Sequence, residues 1–362
     1  MKSKSLKINK SARSVIVTVG MILIAYIVCQ ILIATGNMSN LLQNLLVSMC
    51  YYSIMAVSLN LTVGILGQLS LGHAGFMCIG AFTGAIFSKC TVNSIENTFI
   101  RLTLALLIGA VAAGLFGIVI GIVVLRLRGD YLAIVTLAFG EIIKNVLNVL
   151  YIGYDSKGLH FSMKDAISLN LEEGGTVLVK GAQGISGTPR DATFTVGVVL
   201  LLITYLIIVN LVNSRSGRAI MAIRDNHIAA ESVGINITKY KILAFSISAA
   251  LAGVAGVLYS HNIATVQSSK FGYNLSIMIL VFVVLGGMGN LRGSIIAAVL
   301  LTLLPEYLRF LSDYRMLIYA VILIVMMLYN WSPACVAWRN KFSPKILLNK
   351  FSGAMLKKSK EV

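Results

Sequence analysis

Apolar runs of about twenty residues recur along most of this 362-residue chain, and few folds can accommodate them. A hydrocarbon layer about 30 Å thick takes about 20 residues of α-helix to cross. Inside it every backbone N–H and C=O must be bonded within the protein, which restricts such a chain to spanning helices or a closed barrel. Uninterrupted runs of this length select helices. Crossings fit at roughly 15–34, 41–63, 69–88, 101–125, 131–152, 193–213, 242–260, 274–288, 294–309 and 315–331. The expected fold class is all-α: a polytopic membrane protein with about ten transmembrane helices, some of them short or broken by glycine. The first run is too long for a signal-peptide core and has no small-residue cleavage pattern after it, so it reads as the first span.

A net charge of +17 on a soluble chain would point to nucleic acid. Here its distribution decides otherwise. The cations gather in residues 1–14, at Arg126 and Arg128, in residues 214–241, and in a tail ending KKSKEV. Ten crossings with the usual excess of Lys and Arg on the inner side place all of these in the cytoplasm. Anionic membrane lipid accounts for the tail without a nucleic-acid partner. The expected organisation is a basic cytoplasmic N-terminus (1–14), a transmembrane domain (15–331) and a basic cytoplasmic tail (332–362). Within the domain, residues 153–192 form an external loop and residues 214–241 a cytoplasmic one.

Cys29, Cys50, Cys78, Cys90 and Cys335 are odd in number, scattered and mostly in or beside apolar segments, so they read as small hydrophobes with no disulfide and no metal site. His73, His160, His227 and His261 lack ligand spacing. The sequence holds no G-x-x-x-x-G-K-[ST] phosphate loop and no nucleophile–base constellation. The chain is therefore not expected to be an enzyme or to need a cofactor, and any energy it uses comes from elsewhere.

The cytoplasmic insert, SRSGRAIMAIRDNHIAAESVGINITKYK, has its own logic. After Arg218 and Arg224, Asp225 or Asn226 can cap a short helix, and Gly234 supplies the left-handed residue that closes it. Ala229 and Ala230 give a small-residue face, edged by His227 and Glu231, on which another protein can sit. A generic basic loop is the plainer alternative.

Glycines cluster in two further places. Gly64, Gly72 and Gly75 interrupt one apolar region together with Asn60, Gln68, Ser70 and His73; Gly286 and Gly287 interrupt another, next to Asn290. A helix broken at membrane depth frees backbone groups, which persist only against protein or a wet cavity. Freed amides suit a carboxylate and freed carbonyls an ammonium, so these residues are candidates for the lining of a path for a zwitterion. Close helix packing is the competing explanation of such glycines. It is preferred outright for Gly84, Gly109, Gly114, Gly117, Gly121, Gly253 and Gly256. Glu141 and Lys144, three apart on one helix face, read as a structural ion pair before a gate.

The pattern S-x-x-G-R-A-x-x-A-I-R-x-N-x-x-A-A-x-x-x-G-I-N-x-x-x-Y-K in residues 214–241 resembles the ATPase-coupling loop of bacterial ABC importer permeases of the high-affinity branched-chain amino acid class. NLTVGILGQLSLGHAGFMCIGAF, LRLRGDYLAIVTLAFGEI, GAQGISGTP and VLGGMGNLRGS resemble, in order, further stretches of the M-type permease of that class. One departure is Ile228, which stands where the wider loop pattern has an acidic residue.

The resemblance implies a permease subunit of an ATP-driven importer for Leu, Ile or Val in the bacterial cytoplasmic (inner) membrane. Its implied partners are a second homologous permease subunit, two cytoplasmic ATP-binding subunits and an extracytoplasmic substrate-binding protein that meets the external loop. It also implies that Arg218, Arg224, Asp225, Asn226, Ala229, Ala230, Glu231 and Gly234 couple to the ATPase. The same architecture moving urea or short amides, an ion-coupled carrier using Glu141, and a membrane scaffold are the alternatives.

Overall fold

The computed structural model describes residues 10–36, 38–92, 94–124, 129–155, 158–171, 175–308 and 314–331. Residues 1–9, Arg126, Arg128 and the tail 332–362 lie outside the described residues. Among the described residues ten apolar helices follow the expected crossings. They are α1 (Lys10–Ala34), α2 (Asn40–Asn60), α3 (His73–Thr91), α4 (Thr98–Val124), α5 (Asp130–Val149) and α6 (Phe194–Asn213). Two short helices, α7 (Arg215–Asp225) and α8 (His227–Ser232), come next, followed by α9 (Ile237–Asn262), α10 (Tyr273–Gly286), α11 (Leu291–Tyr307) and α12 (Arg315–Trp331). Seven helical spans among the described residues, those of α1 to α6 and α9, are long and apolar enough to cross a membrane. At 14 residues α10 is a short helix, about 21 Å long at 1.5 Å per residue. The chain is a multi-pass helical membrane protein.

Two compact units divide at Leu303 and Leu304. The first holds the chain through most of α11. In it α2 is the hub: Ile54, Met55, Ala56, Val57 and Leu59 are completely buried, so its second half has no stripe for solvent. Helices α6, α9 and α10 pack on it. By contrast α1 exposes Ile16, Ile24 and Ile31, as a helix facing lipid does. The second unit, as described, comprises the last turn of α11 and the apolar helix α12.

Lipid gives apolar side chains no reason to leave it, so membrane helices associate by close contact and by hydrogen bonds between them. Both are present. A Cβ added at Gly256 on α9 would lie 2.0 Å from the Met77 carbonyl oxygen on α3, and one at Gly253 would lie 2.6 Å from that of Gly109 on α4. These helices therefore touch backbone to backbone, which is the packing role expected for Gly109, Gly253 and Gly256. Ser248 Oγ donates to the Ser58 carbonyl at 2.6 Å, and Ser88 Oγ lies 2.7 Å from His261 Nε2.

The stretch between α5 and α6 folds as a small sheet, for which the sequence reading set no secondary structure. Strands β1 (Tyr151–Asp155), β2 (Gly158–Ser162) and β3 (Thr176–Lys180) form an antiparallel sheet in the order β2-β1-β3. Beyond it, β4 (Ile185–Ser186) pairs with β5 (Thr265–Val266). Gly184 sits at φ +71° with the Val266 carbonyl oxygen 2.0 Å from where a Cβ would be, so the GAQGISGTP stretch packs against the chain beyond α9. The ion pair Arg101–Asp191, at 2.6 Å and nearly buried, ties the start of α4 to the chain just before α6. Helix α6 thus runs from a sheet end of the molecule to a loop end carrying α7 and α8, and α9 runs back.

Candidate functional site

The polar insert at the loop end folds as two helices where the sequence suggested one. Ser214 Oγ accepts the Gly217 amide at 3.1 Å and donates to the Leu211 carbonyl at 2.6 Å, ending α6 and starting α7. A Cβ at Gly217 would fall 2.2 Å from that same Leu211 oxygen, so the tight reversal requires glycine. Ile220 and Ile223 form the buried stripe of α7. Asn226 then leaves the helical region at φ −157°, ψ 107°, and its Oδ1 accepts the Ile228 and Ala229 amides at 3.0 and 3.1 Å. Of the two capping candidates the chain uses Asn226. Asp225 instead accepts from Arg224 Nε and Nη2 at 3.1 and 2.9 Å. Gly234 closes α8 at φ +83°, with its amide on the Glu231 carbonyl at 2.9 Å and the Ile235 amide on the Ala230 carbonyl at 3.1 Å, a left-handed closure of the Schellman kind.

The expected small-residue face needs correction. Adjacent helical residues point about 100° apart, and Ala230 is buried in its own chain while Ala229 faces out. The outward edge of α8 carries Ile228 and Val233, 69% and 75% exposed, on either side of Ala229. Sequence reasoning passed over these two residues. Their signal was that Ile228 stands at the position where the wider pattern is acidic, with Val233 just before the closing Gly234. Arg218 Nη1 donates to the Asn213 carbonyl at 3.1 Å, and Glu231 is exposed.

The two glycine clusters, more than two hundred residues apart, meet. Helix α2 passes into a five-residue π-helical turn, Leu61–Ile65, and an irregular stretch precedes α3. Asn60, fully buried, donates through Nδ2 to Ser294 Oγ at 2.7 Å and accepts the Gly289 amide on Oδ1 at 2.8 Å. A Cβ at Gly64 would lie 2.1 Å from the Gly289 nitrogen. Gly286 and Gly293 close the α10–α11 corner at backbone contact, Gly287 turns it at φ +91°, and Asn290 Oδ1 accepts the Gly293 amide at 3.3 Å. Beside both breaks lies a pocket of about 260 Å³ whose lining includes Ile65, Tyr205, Arg224, Gly289, Asn290 and Arg292.

Several of the backbone groups expected to be free for a solute are satisfied by the protein. Thr136 Oγ1 accepts the Leu71 amide and Ser276 Oγ the Ala74 amide, both at 3.1 Å. Gly72 lies against the Thr136 carbonyl and Gly75 against Gly140, so both pack α3 on α5. His73 Nε2 lies 2.8 Å from Ser58 Oγ, which makes it a satisfied interhelical histidine. Two of the sequence candidates keep unfilled capacity. Gln68 Oε1 and Ser70 Oγ are, with Ser53 Oγ, the buried side-chain oxygens without a hydrogen-bond partner among the described residues.

Glu141 does more than pair with Lys144. Its Oε2 meets the Lys144 ammonium while Oε1 accepts the amide of Tyr273, the first residue of α10, at 2.9 Å. A carboxylate at a helix N-terminus satisfies an otherwise unbonded amide and complements the helix dipole. This geometry anchors α10 and agrees with the structural reading of the pair. At the sheet end, Tyr154, Leu159 and Phe161 are exposed together, Tyr154 and Leu159 being direct cross-strand partners and Phe161 following two residues along β2.

The chain matches the model of the branched-chain amino acid transport system permease component family over residues 41–328. It is 37% identical over 291 residues to the high-affinity branched-chain amino acid transport system permease protein LivM of Salmonella typhimurium, covering 78% of this chain and 66% of that protein. The match thus spans just under two thirds of that relative's length. It is 24% identical over 275 residues to the probable branched-chain amino acid transport permease protein LivM of Methanocaldococcus jannaschii, covering 67% of this chain and 74% of that protein. To the ribose import permease protein RbsC of Escherichia coli the identity is 28% over 308 residues, covering 82% and 85%. No solved structure matches the chain.

Proposed function

This chain belongs to the branched-chain amino acid transport permease family, and from that premise we propose that it is the M-type translocation subunit of an ATP-driven importer in a bacterial cytoplasmic membrane. Its cargo is Leu, Ile or Val. It works beside a second, similar permease, two ATP-binding subunits on the loop end and a substrate-binding protein on the sheet end. The observation that carries the reading is the α7–α8 hairpin. A basic, water-compatible insert presents Ile228, Ala229 and Val233 outward, and exposed apolar residues rimmed by polar ones mark a protein contact. The exposed aromatic face of the sheet supports a partner at the opposite end in the same way.

The solute passes alongside the two breaks, with the pocket lined by Ile65, Gly289 and Asn290 as its inner mouth. The ground for this is chemical. Gln68 Oε1 and Ser70 Oγ offer acceptors to an ammonium, and the pocket wall, which includes Arg224 and Arg292, offers cations to a carboxylate. Movement of the ATPases displaces α7 and α8, and rigid displacement of that kind tilts the helices joined to them.

Proteoliposome uptake of labelled leucine tests the reading. Accumulation that needs ATP, both ATPases and the binding protein, and that survives collapse of the ion gradients, is the expected result. Gradient-driven uptake by the chain alone would reject it. The weaker likeness to the ribose permease makes ribose the control cargo, expected to give no accumulation.

A further inference from the structure

Arg224 joins two elements that the sequence separates by 160 residues. Its Nη1 donates to the Gly64 carbonyl at 3.2 Å, at the end of the π-helical turn, where helical carbonyls lose their intrahelical partners. The aliphatic stem of Arg224 lies over Gly67, where an added Cβ would come within 2.5 Å of Arg224 Cγ. Gly67 holds φ +73°, a conformation that also favours glycine. The far edge of the guanidinium is fixed by Asp225, and the next residue, Asn226, caps α8. On the other side, Gly64 is pressed against Gly289, and Asn60 bridges to Gly289 and Ser294. An unbroken line of contacts therefore runs from α8 through Asn226 and Arg224 to the broken end of α2 and on to the α10–α11 corner.

We propose that Arg224 is a positioning residue that transmits displacement of the α7–α8 hairpin directly to the hub helix α2. Covalent continuity carries motion from the hairpin only into α6 and α9, and α2 is joined to neither in sequence. The planar fork of arginine suits the task, because it engages the Gly64 carbonyl and the Asp225 carboxylate at once and holds their relative position. The proposal deepens the importer reading and rests on it.

The test uses the full complex in proteoliposomes, with leucine uptake and ATP hydrolysis measured on the same preparation. Arg224→Met keeps a stem over Gly67 but removes the donors. It is expected to assemble with the ATPases and to hydrolyse ATP, while uptake per ATP falls by about tenfold, within the roughly 5–150-fold typical of coupling between two sites. Arg224→Lys, which keeps one cationic donor, should recover most of that ratio. Lys239→Met, which removes a charge from the same insert, should leave it unchanged. An unaltered uptake-per-ATP ratio in Arg224→Met overturns the proposal and leaves the docking reading intact. Loss of ATPase co-purification in Arg224→Met also overturns it, by assigning the residue to docking. Absence of ATP-dependent uptake in the unmodified complex sinks the importer reading itself.

Discussion

Replacing Asn60 by Ala is the most discriminating test of the node where the two glycine clusters meet. The side chain is fully buried and makes two bonds, to Ser294 Oγ at 2.7 Å and from the Gly289 amide at 2.8 Å. Neither loss strands a buried group. Ser294 Oγ also donates to the Asn290 carbonyl at 3.3 Å, so it keeps a partner. Hydrogen bonds of its kind between membrane helices average about 0.6 kcal/mol and reach about 1.7. Gly289 is exposed beside the pocket, so its amide turns to water and its loss is that of an ordinary hydrogen bond, about 0.5–1.5 kcal/mol. Asn60→Ala should therefore destabilise the subunit by about 1–3 kcal/mol and Ser294→Ala by about 1 kcal/mol. Unfolding in mixed micelles, run as a double-mutant cycle, reads both. The double variant should fall short of the sum by about 0.6–1.7 kcal/mol. Additivity together with a cost under about 1 kcal/mol for Asn60→Ala would refute the reasoning that this residue joins α2 to the α10–α11 corner.

At Gly234 no heavy atom lies within 4 Å of an added Cβ, so Gly234→Val meets only the strain of φ +83°, on the order of 1–2 kcal/mol for a side chain in the left-handed region. It should weaken co-purification of the ATPases at normal subunit recovery, and Gly234→Asn should restore much of it; an undiminished complex with Val counts against the helix closure. The two alanines of α8 should part company. Ala229→Arg should leave a monodisperse subunit that no longer captures the ATPases, whereas Ala230→Arg should lower recovery of the folded subunit itself. Equal behaviour of the two would contradict the burial of Ala230. For Glu141→Gln, an amide oxygen can still accept from Tyr273 and only the ion pair is lost, so uptake should drop by less than about fivefold, the limit for a partly exposed pair worth up to ~1 kcal/mol. Abolished uptake, with sensitivity of the unmodified protein to ion-gradient collapse, would instead make Glu141 a coupling carboxylate.

Residue types and their spacing carried the local part of this architecture. Runs such as that of α6 are as long as the hydrocarbon layer is thick, and Asn226 and Gly234 mark the ends of α8 because capping depends on neighbours within four residues. The sheet between α5 and α6 went unread because its strands are five residues long and separated by loop, so their pairing, and not their periodicity, defines them. Gly72 and Gly75 were legible as a break but not as the packing surface for α5. Small residues look alike in sequence whether they face a cavity or a backbone, and only the position of Gly140 separates the two cases.

Taken alone, the amino-acid sequence determined that this chain crosses a membrane many times as helices, because hydrocarbon thickness and backbone satisfaction act over twenty residues at a time. Tertiary structure alone decided that Asn60 meets Gly289 and Ser294, that Arg224 reaches Gly64, and that Ala230 turns inward while Ile228 and Val233 face out. Those choices depend on which surfaces come within about 3 Å of each other across 160 to more than two hundred residues of chain, or on which side of a helix a neighbour covers. No local pattern encodes such a distance.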